Sequence, residues 1–110
     1  MTDPANTLNA LAKQAHATAT AKGWYDRLRE PPELLCLIHS ELSECLEAFR
    51  NGNPMSRKIS HCPQVAEELA DAIIRILDMA EFLELDIGRA VVEKMIYNQT
   101  RTVRHGGKVY

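Results

Sequence analysis

Two stretches of sequence decide the fold: LLCLIHSELSECLEAFR at residues 34–50, and EELADAIIRILD at residues 67–78. In both stretches apolar residues recur every three or four positions, which is the spacing of an amphipathic helix. Chain-breaking residues separate the two, with Asn-Gly-Asn-Pro at 51–54 and a proline at 63. The pattern therefore predicts one helix over residues 31–50, a loop over 53–62, and another helix from 63 to about 85.

The remaining segments are helical in pattern as well. A first helix is predicted from Pro4 to about Lys22, where Gly23 ends it, and Asp86 is a good N-cap for a fourth helix that runs to about Val103. No segment alternates as a strand does, and the short connections imply antiparallel neighbours. We therefore predict an all-α fold, an antiparallel bundle of about four helices in one domain over residues 1–110. Apolar residues lie outside the main stripe of the third helix, so we expect a homo-oligomer, dimer or tetramer.

Composition excludes several classes of protein. The 110 residues carry a net charge of −2, with 45% hydrophobic and 25% charged residues, which argues against binding to a nucleic acid polymer or a membrane surface. No apolar run approaches the ~20 residues of a membrane span. Residues 1–6 lack the features of a signal peptide, and the three cysteines (Cys36, Cys45 and Cys62) show no metal-binding spacing. We expect a cytoplasmic protein.

Two carboxylate pairs point to a metal site. Glu41 and Glu44 are three residues apart, as are Glu68 and Asp71, so each pair shares one face of its predicted helix. All four lie at or near the edge of an apolar stripe, where a carboxylate must be paired, protonated or bound to metal. A hard divalent cation, Mg²⁺ or Mn²⁺, fits four such oxygen ligands. Ordinary surface charge is the alternative, and either pair alone would favour it.

A row of polar and cationic residues follows near the C-terminus. Lys94, Asn98, Arg101 and His105 are spaced four, three and four apart, which places them on one helical face, and Lys108 follows a Gly-Gly pair. By itself this row is typical of a solvated basic helix end. Beside an acidic metal site, however, it indicates polyphosphate chemistry, in which cations offset the phosphate charge that the metal leaves over.

Three ordered blocks carry a resemblance to a known family: residues 34–50, residues 67–78, and KMIYNQTRTVRHGGK at 94–108. Together they resemble the short, single-domain MazG-like nucleotide pyrophosphohydrolases of the all-α NTP pyrophosphatase superfamily. The resemblance implies an E-x-x-E…E-x-x-D magnesium site and cleavage of a nucleoside triphosphate between its α and β phosphates. It implies assembly as dimers or tetramers. It also assigns Lys94 and Asn98 to the substrate, and more loosely Arg101, His105 and Lys108.

Two questions stay open at this point. The general base could be Glu44 or Glu47, each a carboxylate that the metal need not use fully. The competing function is a non-enzymatic, oligomeric helical module whose acidic stripe forms salt bridges with the basic tail of a neighbour. Metal dependence separates the two functions.

Overall fold

Four α-helices make up the part of the chain that the computed structural model describes, residues 3–101. They are α1 (Pro4–Ala21), α2 (Pro31–Arg50), α3 (Gln64–Phe82) and α4 (Ile87–Gln99). These residues contain no strand, only an isolated β-bridge between Met55 and Pro63 that closes the α2–α3 loop. The prediction of an all-α bundle of four helices is confirmed.

Three helices end in the same backbone turn, the Schellman motif, in which the residue after the C-cap is left-handed. Gly23 holds this position after α1 and Gly52 after α2, with φ of 86° and 82°. After α3 it is held by Glu84, with φ of 58°, and the amide of Leu85 bonds back to the last turn of the helix at 2.9 Å. The predicted extension of α3 to about residue 85 is therefore wrong, since α3 ends at Phe82. The sequence does not show this end, because the left-handed residue of the turn is Glu84 and not a glycine.

The last helix is also shorter than its sequence pattern predicts. Asp86 is the N-cap, and its Oδ1 accepts a hydrogen bond from the amide of Arg89 at 3.1 Å. The helix ends at Gln99, and a tight turn follows in which the amide of Arg101 bonds to the carbonyl of Asn98 at 3.2 Å. The predicted extension to about residue 103 is wrong, so Arg101 does not continue the helical face that carries Asn98.

Helix α3 lies at the centre of the arrangement. It packs against α2 on one side and against α1 on another, and α1 in turn packs against α4. Among the described helices, α2 contacts α3 alone. Because α1 and α2 do not meet, a cleft opens between them with α3 as its floor.

The α1–α4 contact is unusually close. A Cβ added to Gly88 would lie 2.0 Å from the backbone oxygen of Ala5, so no other residue fits there without moving a helix. Asn9 links the same two helices: its Nδ2 donates to Asp86 Oδ1, and its Oδ1 accepts from the amide of Gly88, both at 2.8 Å. Tight backbone approach and a side-chain amide thus hold α4 to α1.

The interior is built from small residues. Alanines at positions 12, 48, 72 and 80 are almost completely buried, whereas no large side chain in residues 3–101 is fully enclosed. Large apolar side chains remain exposed on α2 and α3, among them Leu42, Leu46, Phe49, Ile73 and Ile76.

The radius of gyration is 16.2 Å, against about 13 Å for a compact chain of this length. None of the described helices has the length and hydropathy of a membrane span.

Candidate metal centre and cleft

The four predicted metal ligands meet where α2 packs against α3. Together with Glu67, which was not predicted, their carboxylates form two overlapping groups: Glu41, Glu44 and Glu68 in one, and Glu67, Glu68 and Asp71 in the other. Within each group, one oxygen of every member lies within 4.8 Å of the others. Glu68 belongs to both groups and is therefore the centre of what we call the acidic cluster, defined by these five residues.

Glu67 is the member that the sequence analysis did not select. It is buried, and its Oε1 accepts a hydrogen bond from the hydroxyl of Ser56 in the α2–α3 loop. Lys58 of the same loop places its Nζ 3.9 Å from the other oxygen of Glu67. Because this environment comes from a loop that folds back onto α3, helical spacing alone could not reveal it.

The electrostatics of the acidic cluster disfavour several negative charges so close together. Burial, reinforced by the charges of Glu44 and Asp71, raises the pKa of Glu68 above its ordinary value. Burial likewise raises the pKa of Asp71, with further contributions from Glu41 and Glu67. In addition, Oε2 of Glu68 is buried without a hydrogen-bond partner, an arrangement that costs free energy unless a cation or a proton is bound there. Both groups offer carboxylate oxygens only, the donor set that suits Mg²⁺ or Mn²⁺.

Arg75 connects the acidic cluster to Trp24. Its Nε donates to Oε1 of Glu41 at 2.6 Å, and its guanidinium carbon lies 4.5 Å from the centroid of the Trp24 ring. Asp71 lies four residues before Arg75 on the same helix, a spacing at which the two side chains could pair. The hydrogen bond instead crosses from α3 to α2.

The cleft between α1 and α2 has a volume of about 800 Å³. Its lining has two main groups of side chains. The charged group, which we call the polar end, has both signs of charge: Glu41, Glu44, Asp71, Lys58 and Arg75. The apolar group, which we call the apolar end, comes from α1, α3 and the segment after α1: Leu11, Ala15, Trp24, Ile73, Ile74 and Leu77. Gln14, Thr18 and Asp78 also line the cleft. A ligand with a charged part and a flat apolar part would match both ends.

Two known proteins are similar in sequence to this chain. The chain is 27% identical to dCTP pyrophosphatase 1 of Rattus norvegicus and 29% identical to dCTP pyrophosphatase 1 of Homo sapiens, each over 107 residues. Both alignments cover 93% of this chain but 62% of the relative, so the chain spans less than two thirds of their length. No protein-family model matches, and no solved structure does.

The similarity is distant. It supports the resemblance to the all-α NTP pyrophosphatase superfamily at a coarse level and selects no particular member of it. The relatives are named as pyrophosphatases of a nucleoside triphosphate, which agrees with a cleft that has one charged and one apolar end.

The predicted substrate residues on α4 lie away from the acidic cluster. Lys94 and Asn98 are exposed, and Nζ of Lys94 sits 4.5 Å from the ring centroid of Tyr97 on its own helix. Helix α4 packs on α1 and α3 and lines no part of the cleft. The structure therefore does not bring these residues to the acidic cluster of the same chain. His105 and Lys108 lie outside the described residues.

The two candidates for the general base lie in different surroundings. Glu47 is exposed and accepts a hydrogen bond from Arg50 at 2.7 Å, and it neither joins the acidic cluster nor lines the cleft. Glu44 does both. Geometry favours Glu44.

A second buried carboxylate near the cleft is already satisfied. Asp78 accepts from the hydroxyl of Tyr25 at 2.7 Å and pairs with Nδ1 of His16 at 2.9 Å. Burial and the bond to Asp78 raise the pKa of Tyr25, whose ring stacks on Phe82 with centroids 4.7 Å apart. This group fastens α1 and the following segment to α3, so its role is structural.

Proposed function

We propose that this chain is a metal-dependent nucleoside triphosphate pyrophosphohydrolase that releases a nucleoside monophosphate and pyrophosphate. Residues 1–110 would form one MazG-like domain with that activity. The observation that carries the proposal is the acidic cluster, in which Glu68 belongs to both groups of carboxylates and has its Oε2 buried without a hydrogen-bond partner. The distant similarity to two dCTP pyrophosphatases supports the reaction class.

The acidic cluster supplies the residues that would hold the metal. Glu41, Glu44, Glu68 and Asp71 are the predicted ligands, and Glu67 adds a fifth carboxylate. A bound Mg²⁺ polarises phosphate oxygens and lowers the pKa of a coordinated water. The burial of Glu41 and Glu67 fixes their side chains and keeps competing water away.

Glu44 is the residue that takes the proton from the attacking water. It is the exposed member of its group of carboxylates and faces the cleft, so it can reach a water there. Lys58 and Arg75 at the same end of the cleft offset phosphate charge that the metal leaves over. Trp24 and the apolar end receive the nucleobase by stacking and burial.

A homo-oligomer completes this proposal. The exposed apolar side chains of α2 and α3 need cover, and a second copy of the chain provides it. Lys94 and Asn98 lie away from the cleft of their own chain. In an oligomer they would contribute to substrate binding in a neighbouring subunit.

The second candidate function is the non-enzymatic interaction module. One observation favours it: two members of the acidic cluster already have cationic partners, Arg75 on Glu41 and Lys58 on Glu67. In that case the carboxylates serve salt bridges, and a divalent cation is not needed.

The experiment that separates the two is a panel of ribo- and deoxyribonucleoside triphosphates incubated with the protein and Mg²⁺ and scored for pyrophosphate. We expect pyrophosphate and the monophosphate in equal amounts, and no product in EDTA. Glu68→Gln should abolish turnover. Glu81→Gln is the matched control, because Glu81 is also on α3 but pairs with Lys13 outside the acidic cluster. Absence of pyrophosphate with every nucleotide, from folded protein whose Tm does not respond to Mg²⁺, would favour the interaction module.

A further inference from the structure

One guanidinium group joins the acidic cluster to the single tryptophan of the chain. Arg75 donates from Nε to Oε1 of Glu41 at 2.6 Å while its guanidinium carbon lies 4.5 Å from the centroid of the Trp24 ring. The side chain of Glu41 is one-tenth exposed, so water does little to weaken this ion pair. The position of Arg75 over the ring therefore depends on the state of Glu41.

A divalent cation and Arg75 compete for the same carboxylate. Glu41 belongs to the acidic cluster with Glu44 and Glu68, and a cation held there places a second positive charge beside the guanidinium. Arginine cannot lose its proton to relieve that repulsion. Its side chain can move instead, because it is about one-third exposed and lines the open cleft.

We infer that Arg75 is a built-in counter-ion for the acidic cluster, which a divalent cation displaces from Glu41 and thereby from the ring of Trp24. This inference rests on the metal site of the proposed function. Metal binding then uncovers the part of the Trp24 ring that Arg75 covers, so the metal site and the stacking surface are coupled. The ligand class that profits is a planar, uncharged ring such as a nucleobase.

Arg29 provides an internal comparison. Its guanidinium carbon lies at the same 4.5 Å from the Trp24 ring. Its hydrogen bonds, however, go to the backbone oxygen of Trp24, at 2.6 Å, and to Glu33, which lies outside the acidic cluster. Arg29 thus shares the aromatic contact of Arg75 but not its link to the metal site.

The test measures metal affinity and tryptophan emission separately. Free Mn²⁺, followed by electron paramagnetic resonance, gives the affinity, and Mg²⁺ added to the metal-free protein gives the change in Trp24 emission. Arg75→Met removes the competing charge and keeps an unbranched, flexible side chain, so we expect Mn²⁺ to bind about tenfold more tightly. We also expect its emission to stay constant when Mg²⁺ is added, whereas wild-type emission changes. Arg29→Met should keep both the wild-type affinity and the wild-type response.

Arg75→Lys guards against a packing defect in the methionine variant, because it keeps the charge and should keep the metal affinity near that of wild type. An affinity in Arg75→Met equal to or below wild type would overturn the inference, since Arg75 would then only position Glu41. An emission response that survives in Arg75→Met would overturn it too. If wild type binds neither ion, the proposed metal site fails as well. If wild type binds the ions but Arg75→Met changes neither the metal affinity nor the emission response, the inference about Arg75 is refuted and the proposed metal site is not.

Discussion

Replacing Glu68 by glutamine tests the charge balance of the acidic cluster without any assay of activity. One oxygen of Glu68 lies within 4.8 Å of the carboxylates of Glu44 and Asp71. Two unit charges at that separation repel by about 1 kcal/mol in water and by about 3–4 kcal/mol at an effective dielectric constant of 20. Lys58 and Arg75 offset part of this, and the cleft is open to solvent. We therefore expect Glu68→Gln to stabilise the metal-free protein by about 1–2 kcal/mol.

The assay is thermal unfolding in EDTA at fixed protein concentration. For a domain of this size about 1 kcal/mol corresponds to roughly 4–8 °C in Tm, so the gain is measurable at pH 7.5. The pKa of Glu68 is raised in the folded state, so its protonation favours folding. The advantage of the variant should therefore fade as pH falls through that raised pKa toward the unfolded value of 4.5.

Two further measurements complete this test. Glu81→Gln, on the same helix, should not raise the Tm, because its partner Lys13 is exposed and the pair contributes little. Mg²⁺ should raise the Tm of wild type, because a ligand at 100 times its dissociation constant adds about 2.7 kcal/mol to the free energy of unfolding. It should raise the Tm of Glu68→Gln much less. A variant that melts below wild type in EDTA would refute the reasoning, as would equal stabilisation of both proteins by Mg²⁺.

Three other predictions concern the rest of the molecule. Gly88→Ala should lower the free energy of unfolding by about 2–4 kcal/mol, since the new methyl group would overlap the backbone of Ala5; an unchanged Tm would contradict the close approach of α1 and α4. Lys94→Ala and Asn98→Ala should each lower kcat/KM by about ten- to a hundredfold without weakening metal binding. If these residues act in a neighbouring subunit, mixing Lys94→Ala with Glu68→Gln protein should restore part of the activity, and kinetics unchanged in both single variants would show that α4 is a solvated helix end. Light scattering should report a dimer or tetramer of the 12.4 kDa chain, and a monomer at micromolar concentration would contradict the oligomer.

Sequence patterns predicted the helices well because their boundaries depend on local chemistry. The glycines at positions 23 and 52 predict the left-handed turns after α1 and α2, because glycine adopts a positive φ without strain. Glu84 makes the same turn after α3 with φ of 58°, and no glycine marks that turn in the sequence. The end of α4 was misplaced for a related reason: neither glycine nor proline follows Gln99 directly, so the sequence does not mark the turn.

The candidate site was also predicted only in part: spacing along single helices gave some of its residues, and contacts between elements determine the others. The shared helix face of Glu41 and Glu44, and that of Glu68 and Asp71, followed from spacing, because a period of 3.6 residues fixes which side chains share a face. The roles of Glu67 and Arg75 did not follow. Glu67 depends on a loop that folds back onto α3, and the partner of Arg75 lies on the adjacent helix rather than four residues away. Both are consequences of tertiary contacts that one sequence does not display.

The attachment of α2 to a single neighbour has a consequence for local unfolding. A helix held along one side only opens at a lower free energy than the whole domain, and its amides exchange with solvent sooner. The contact between α1 and α4 closes a long segment of chain, which costs conformational entropy. Helices α2 and α3 are consecutive, so their contact closes a short loop and costs less entropy. The acidic cluster spans the contact with α3, the only one of the described helices that α2 touches. A cation bound there would have ligands from both helices and would hold α2 to α3, so hydrogen exchange in α2 would slow.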